Sequence, residues 1–477
     1  MNATAMNRKF SRRTMRWLAG GAVAAWVMFI AYCWRSNVEA AKLAIILPPI
    51  FGTAFVVALR ARSVVLSLFM GFTFVSHAIA PPFFFLKREN YSYGGDFGAV
   101  KNFSFQAGEL LRIYGTVCVF TLAVLLFTIA GVKMVRGEIP WSGLRLGRSK
   151  TQRRGAYDFL IIGFLIAVAV PQSILMYKLR VGITGVVAPA LPFRLTGILY
   201  YSRSFIYPVL LFIAYALSKR SRATAVVIVL YAWFAALCGS SRYVLVISAA
   251  SVVLFAVVDG RRIRFLASAA MVGFAFLTVT HSREYIYSDA LPFREYLLKS
   301  VGESEERPPV GDLIGAIALR LYGPQDIVLA YQYDVPDRVQ AMARWFTDRP
   351  VVDLNYEFYG MILEPGSGFG VGIGLAAWMI VLARRSYIFL IALAGVIAIF
   401  LIVADIVVLA VRRTKAFNAS MIADPLAFFL VYVLYSATSL RWYYELIVIS
   451  TLATWMLRML NPATHDRSPR LVPQDVQ

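Results

Sequence analysis

Five basic residues of this sequence lie within or beside long apolar runs, where a charge is costly. They are Lys178, Arg180, Arg194, Arg203 and Arg242. An ionisable residue in such a position is a candidate functional site. Arginine suits phosphate because its guanidinium is a planar fork of N–H donors that keeps its charge. These residues therefore indicate a phosphate-bearing ligand, and snorkelling to lipid headgroups is the alternative explanation.

Two of these arginines have informative neighbours. Arg203 lies six residues into an apolar run, and Tyr200 and Tyr207 share its helical face at i−3 and i+4. Arg242 ends the stretch Gly239-Ser240-Ser241-Arg242, where small residues leave backbone N–H groups accessible and can form an anion-binding concavity with the guanidinium. The alternatives are a structural ion pair for Arg203 and an ordinary hairpin turn for Arg242.

A few acids and one histidine near the ends of apolar runs are candidate general bases. His281-Ser282-Arg283-Glu284 follows directly on one run, Glu295 lies a little later, and Glu357 precedes the next run. A base within hydrogen-bond reach could accept the proton of a hydroxyl that attacks another group. The alternative is the charged face of a polar loop.

The apolar runs that position these residues are long enough to cross a membrane. The chain has 477 residues, of which 59% are hydrophobic and only 16% charged, whereas about a quarter of a soluble protein is charged. A membrane span needs about 20 mostly apolar residues. Thirteen segments qualify: 17–33, 43–59, 63–85, 110–131, 156–176, 197–217, 223–238, 243–259, 265–280, 366–382, 387–411, 421–440 and 443–459.

The net charge of +22 comes in short basic clusters between these runs. This arrangement is typical of a multi-pass inner-membrane protein with a cytoplasmic N-terminus. It argues against nucleic acid as a partner, because nucleic-acid binders carry their basic residues on a solvated face. One conflict arises where only the run 387–411 separates Arg384 and Arg385 from Arg412, Arg413 and Lys415. We expect that run, which contains Gly395 and Asp405, to be a re-entrant segment; the alternative places one of the two basic groups outside.

One long polar segment stands apart from the spans. Residues 281–365 hold 14 of the 26 acidic residues and only eight basic ones, and the parity of the spans places them outside. Loops of this length are usually functional. We therefore predict an all-α polytopic protein with about 12–14 transmembrane helices, divided into an N-terminal bundle (1–280), a partly helical periplasmic loop (281–365) and a C-terminal bundle with a short polar tail (366–477).

Three stretches resemble the bacterial Wzy-type polymerases of oligosaccharide repeat units. They are Leu191-Pro192-Phe193-Arg194-Leu195-Thr196-Gly197-Ile198-Leu199-Tyr200-Tyr201-Ser202-Arg203, Gly239-Ser240-Ser241-Arg242, and Asn355-Tyr356-Glu357-Phe358-Tyr359-Gly360, which leads into the glycine-rich 366–374. Each motif is short, and their order and spacing cover most of residues 155–385. Residues 1–150 and 386–477 match only as generic spans.

The resemblance implies an integral-membrane glycosyltransferase with a helical fold of the GT-C class. Such polymerases transfer a glycan from undecaprenyl pyrophosphate to a new lipid-linked repeat unit at the periplasmic face. Arg194, Arg203 and Arg242 would bind the pyrophosphate, and we add Arg180, Arg283 and Tyr200 as candidate substrate-binding residues. His281, Glu284 and Glu357 are the candidate catalytic residues.

The sequence favours chemistry without a metal or other cofactor. It has no Asp-x-Asp of the kind that metal-dependent relatives carry, and the first outer loop offers only Glu39. The expected partners are lipid-linked glycans and membrane lipids, together with a chain-length regulator and a flippase of the same pathway. An O-antigen ligase and a lipid-linked glycan flippase or transporter remain alternative functions.

Overall fold

A computed structural model describes ten stretches of the chain and a few isolated positions. The stretches are 23–61, 63–87, 109–136, 155–183, 191–239, 241–258, 262–287, 375–383, 386–412 and 419–436, and the isolated positions are 292, 295, 327, 330, 343, 447, 448 and 451. In these stretches the regular elements are helices, with no β-strand among them. The predicted loop 281–365 and the residue Glu357 lie largely outside the described residues, so the division into three parts stays a prediction.

The described stretches contain the following α-helices, given in chain order. They are α1 (Val23–Ser36), α2 (Val38–Arg60), α3 (Val64–Phe74), α4 (Ala80–Lys87), α5 (Glu109–Arg136), α6 (Ala156–Phe164), α7 (Val170–Lys178), α8 (Leu195–Tyr201), α9 (Tyr207–Leu217), α10 (Arg222–Gly239), α11 (Arg242–Val258), α12 (Arg262–Tyr287), α13 (Leu375–Ala383), α14 (Tyr387–Arg412) and α15 (Ala419–Ser436).

Seven continuous helical segments are long and apolar enough to cross a membrane. They are Val38–Arg60, Val64–Phe83, Leu110–Val135, Ala156–Lys178, Pro192–Leu217, Arg222–Gly239 and Tyr387–Leu409, and four shorter apolar helices accompany them within the described residues. The prediction of an all-α polytopic membrane protein is confirmed at this level. The predicted number of 12–14 spans and the GT-C class stay predictions.

Three of the long segments contain a π-helical turn where one α-helix passes into the next. These turns are Val75–Ile79 between α3 and α4, Leu165–Ala169 between α6 and α7, and Ser202–Ile206 between α8 and α9. A π-turn inserts one residue into the helix and is frequent at functional sites. The third of these turns contains Arg203, the arginine that the sequence singles out.

The segment that we expected to be re-entrant is one unbroken helix, α14, so that prediction is wrong. Its 26 residues span about 39 Å at the α-helical rise. Gly395 does not interrupt it. The ring of Phe127 in α5 packs against that glycine, and Ile402 in α14 packs against Gly131 in α5. Helices α5 and α14 therefore run in the same direction.

A buried hydrogen bond fixes which end of α14 lies beside Arg60, the last residue of α2. The hydroxyl of Ser63, just after Arg60, donates to Oδ1 of Asp405 at 3.0 Å. The end of α14 that leads to Arg412 is therefore the end beside Arg60. The start of α14, which follows Arg384 and Arg385 in the chain, lies at the opposite end.

The helices that surround Arg203 are tied together at the end remote from it. Oδ2 of Asp158 accepts a hydrogen bond from the backbone N–H of Lys219 at 3.2 Å, and Oδ1 accepts from the hydroxyl of Thr224 at 2.6 Å. These bonds join α6, α9 and α10 where α6 and α10 begin. The other ends of α7 and α10, at Lys178 and Gly239, are where Arg203 lies.

Candidate functional site

Arg203 is almost completely buried, with 1% of its surface exposed. Its Nη2 donates to the backbone carbonyl of Gly182 at 2.7 Å. The Nε and Nη1 atoms of the same guanidinium have no hydrogen-bond partner among the described residues. A buried guanidinium whose donors are only partly satisfied is costly, because the protein replaces only part of its hydration.

Two glycines border the guanidinium. A Cβ atom at Gly239 would lie 2.5 Å from Nη1, 2.8 Å from Nη2 and 2.9 Å from Cζ of Arg203. A Cβ atom at Gly182 would lie 2.9 Å from Nη2 and 2.9 Å from Cδ2 of Tyr200, and this glycine has a φ of +65°. The backbone of both glycines therefore approaches the guanidinium more closely than any larger residue could.

The hydrogen bond to Gly182 leaves one two-donor edge of the Arg203 guanidinium without a partner. Nη2 carries two N–H groups, and the carbonyl occupies one of them. The other lies beside either the N–H of Nε or an N–H of Nη1, and neither of those atoms has a partner in the described structure. Two parallel N–H donors match two oxygens of a phosphate or carboxylate.

The charges around Arg203 do not include a carboxylate in the part of the chain that the structure describes. The ionisable side chains near it are Tyr200, Tyr231 and Cys238, whose hydroxyl and thiol groups are ordinarily uncharged at neutral pH. The carboxyl ends of α7 and α10 add partial negative charge, about half an elementary charge for each helix. These dipoles offset part of the positive charge, but they supply no acceptor for Nε and Nη1.

Gln172 connects the two spans on this side of the site. Its Nε2 donates to the carbonyl of Leu199 at 3.0 Å, and its Oε1 accepts from the hydroxyl of Tyr207. The ring of Tyr207 also meets that of Phe164 edge to face, with centroids 5.0 Å apart. These contacts hold together the two spans that contain the π-turns Leu165–Ala169 and Ser202–Ile206. Gln172 is not among the predicted site residues, although a lone amide inside an apolar run is a signal for it in the sequence.

Three other predicted substrate-binding residues lie at different distances from Arg203. The ring of Tyr200 borders Gly182, as the guanidinium does. Arg180 is half-buried and lies two residues before Gly182. Arg194 is exposed nine residues before Arg203, which is about 13 Å along a helix. The structure thus places Tyr200 beside the site, Arg180 two residues along the chain from Gly182, and Arg194 beyond the site.

The backbone positions of the candidate bases on α12 lie at about the same level along the helix axes as Gly239 on α10. Nε1 of Trp233 in α10 donates to the hydroxyl of Thr278 in α12 at 2.6 Å. Gly239 and Glu284 each follow that hydrogen bond by six residues, or about 9 Å of helix. Short connections on either side of α11 make α10 and α12 parallel, so the backbone of the last turns of α12 reaches the level of the guanidinium.

Several predicted side chains lie outside the part of the chain that the structure describes. His281, Arg283 and Glu284 belong to α12, and Arg242 begins α11, but only their backbone is described. Glu357 is outside altogether, and Glu295 is an isolated exposed position. Within the described stretches, no group of three His, Cys, Asp or Glu side chains is placed to hold a metal ion.

Comparison with known proteins adds no family to this description. No protein-family model, curated protein or solved structure matches the chain.

Proposed function

We propose that this chain is a glycosyltransferase that polymerises oligosaccharide repeat units carried on undecaprenyl pyrophosphate, for O-antigen or a related surface polysaccharide. The observation that carries the proposal is the buried guanidinium of Arg203, which keeps a two-donor edge without a partner among the described residues. Such an edge suits a phosphate or carboxylate. A phosphate-bearing lipid reaches a buried site between helices more readily than a water-soluble anion does.

The proposed orientation places the reaction at the periplasmic face of the bacterial inner membrane. The Arg60 end of the bundle would face the cytoplasm, together with the clusters Lys133–Arg154 and Arg412–Lys415. The positive-inside rule supports this orientation, as does the hydrogen bond between Ser63 and Asp405, which brings Arg412 to the Arg60 end. Gly239 and Arg203 would then lie near the opposite, periplasmic end.

The proposed reaction transfers the growing glycan from its lipid carrier to an acceptor sugar. A hydroxyl of the acceptor forms a bond to the anomeric carbon of the donor, and the bond from that carbon to the pyrophosphate oxygen breaks. The electron pair leaves with undecaprenyl pyrophosphate, and the hydroxyl proton passes to a base. Arg203 would stabilise the negative charge that gathers on the pyrophosphate, which is usually the largest catalytic contribution.

The other residues have proposed roles around this step. Arg180, Arg194, Arg242, Arg283 and Tyr200 would bind the lipid-linked substrates. His281, Glu284 and Glu357 are the candidate bases. The first two are supported by their position in the last turns of α12, which reach the level of Gly239 along the helix axes. The pathway's flippase and chain-length regulator would be its functional partners.

The test is complementation of a strain that lacks this chain, with surface glycans separated by length. Wild-type protein should restore a ladder of long glycans, and Arg203→Met should leave a single capped repeat unit. Arg222→Met, at the exposed start of α10, is the matched control and should restore the ladder. Long unligated chains in the deletion strain would instead indicate a ligase, and units trapped at the cytoplasmic face would indicate a flippase. A full ladder with Arg203→Met would overturn the assignment of Arg203.

A further inference from the structure

We propose that Gly239 and Gly182 are positioning residues that set the direction of the Arg203 guanidinium. This inference rests on the proposed function, since the direction matters only if the guanidinium binds a phosphate. Two glycines 57 positions apart in the sequence meet one side chain at the ends of α7 and α10. Neither glycine touches the substrate in this proposal, and both act through Arg203.

Gly239 limits where the guanidinium can lie. It is the last residue of α10 and is itself buried. A methyl group there would approach Nη1 to 2.5 Å, Nη2 to 2.8 Å and Cζ to 2.9 Å, all far inside van der Waals contact. Arginine side chains are flexible, but this one is enclosed on nearly all sides, so the guanidinium must tilt or withdraw if Gly239 becomes alanine.

Gly182 adds a hydrogen bond that fixes the rotation of the guanidinium. Its carbonyl accepts from Nη2, and its φ of +65° is a conformation that other residues rarely adopt. An alanine there would be strained and would also meet Nη2 and the ring of Tyr200, each at 2.9 Å. Since Gly182→Ala would both strain the backbone and displace the guanidinium, Gly239→Ala is the cleaner test.

The chain supplies a matched control for that test. Gly197 lies in the same span as Arg203, six residues before it, and a Cβ atom there would meet nothing within 4 Å. Gly163, in the neighbouring span, has the same open surroundings. Alanine at either position adds a methyl group to a transmembrane helix without touching Arg203.

The first measurement is the binding of undecaprenyl pyrophosphate to the full chain in lipid nanodiscs. Gly239→Ala should weaken binding about 10- to 100-fold, the loss expected when a charged two-donor contact is misaligned. Gly197→Ala should change the affinity by no more than about twofold, which is the usual deviation between independent sites. Equal affinity for wild type and Gly239→Ala would overturn the inference.

The second measurement asks whether Gly239 acts through Arg203. Arg203→Lys replaces the guanidinium by an ammonium, which lacks the two Nη atoms that the added methyl would meet. Gly239→Ala should therefore lower the thermal midpoint of the ligand-free protein in the Arg203 background and lower it much less in the Arg203→Lys background. An equal drop in both backgrounds would show that the glycine has a merely structural role and would overturn the inference.

The two measurements separate this inference from the proposed function. If wild-type protein fails to bind undecaprenyl pyrophosphate, the proposed function fails whatever the glycines do. If it binds and the two substitutions are independent, the positioning role fails and the proposed function stands. Weakened binding together with coupled thermal midpoints supports both.

Discussion

Replacing Arg203 by methionine should make the ligand-free protein more stable. The guanidinium is 1% exposed, and burial of an ion costs several kcal/mol even after the protein relaxes. The substitution gives up one charged hydrogen bond, to Gly182, worth about 1.5–3 kcal/mol. It also removes the desolvation cost of Nε and Nη1, so we expect a net gain of roughly 1–2 kcal/mol.

The assay is thermal unfolding of the purified protein in nanodiscs, with and without undecaprenyl pyrophosphate. Without the lipid, Arg203→Met should unfold at a higher temperature than wild type. The lipid should raise the unfolding temperature of Arg203→Met less than it raises that of wild type. Arg222→Met, at the exposed start of α10, should change neither value. A loss of about 3 kcal/mol or more in the ligand-free Arg203→Met protein would refute this reasoning, because a loss of that size is typical of breaking a buried ion pair.

Two further substitutions test the scaffold around the site. Gln172→Leu leaves the hydroxyl of Tyr207 without its partner and removes the side-chain hydrogen bond to the carbonyl of Leu199, which keeps the one from the backbone N–H of Ser202, so we expect a loss of about 1–3 kcal/mol in thermal unfolding. Adding Tyr207→Phe should recover part of that loss, and no recovery would count against the described network. Ser63→Ala removes an N-cap and the hydrogen bond to Asp405, and we expect a loss of about 2–4 kcal/mol. A change below about 0.5 kcal/mol, as for an ordinary surface site, would contradict that hydrogen bond.

The sequence predicts the helices well because apolar length is a local property. The runs at 43–59 and 110–131 became α2 and α5, each several residues longer than predicted. The extra residues lie at the helix ends and include charged ones, such as Glu39 and Arg136, among apolar ones. These residues continue the helix beyond the apolar stretch that marks a span.

Features that depend on contacts between distant residues could not be predicted in this way. Gly395 suggested a break in an apolar run, yet it is where Phe127 packs against α14. The π-turn at Ser202–Ile206 has no residue signature, so the sequence could not show that it alters the side-chain register between Arg203 and Tyr207.

Arg203 itself was predictable, because a charge inside an apolar run is visible in the sequence. Its surroundings were not. Nothing in the sequence distinguishes Gly182 and Gly239 from other glycines. Only the fold places their backbones against one guanidinium. In the stripe of Tyr200, Arg203 and Tyr207, Tyr200 lies with Arg203 beside Gly182, and Tyr207 donates to Gln172.

The central claim is that the buried guanidinium of Arg203 recognises the pyrophosphate of a lipid carrier. Its most direct test is the affinity of the full chain in nanodiscs for undecaprenyl pyrophosphate and for uncharged undecaprenol. Wild type should prefer the pyrophosphate lipid by about tenfold or more, the value of one charge-assisted contact, and Arg203→Met should bind the two lipids with similar affinity. An undiminished preference in Arg203→Met, or no preference in wild type, would contradict the account.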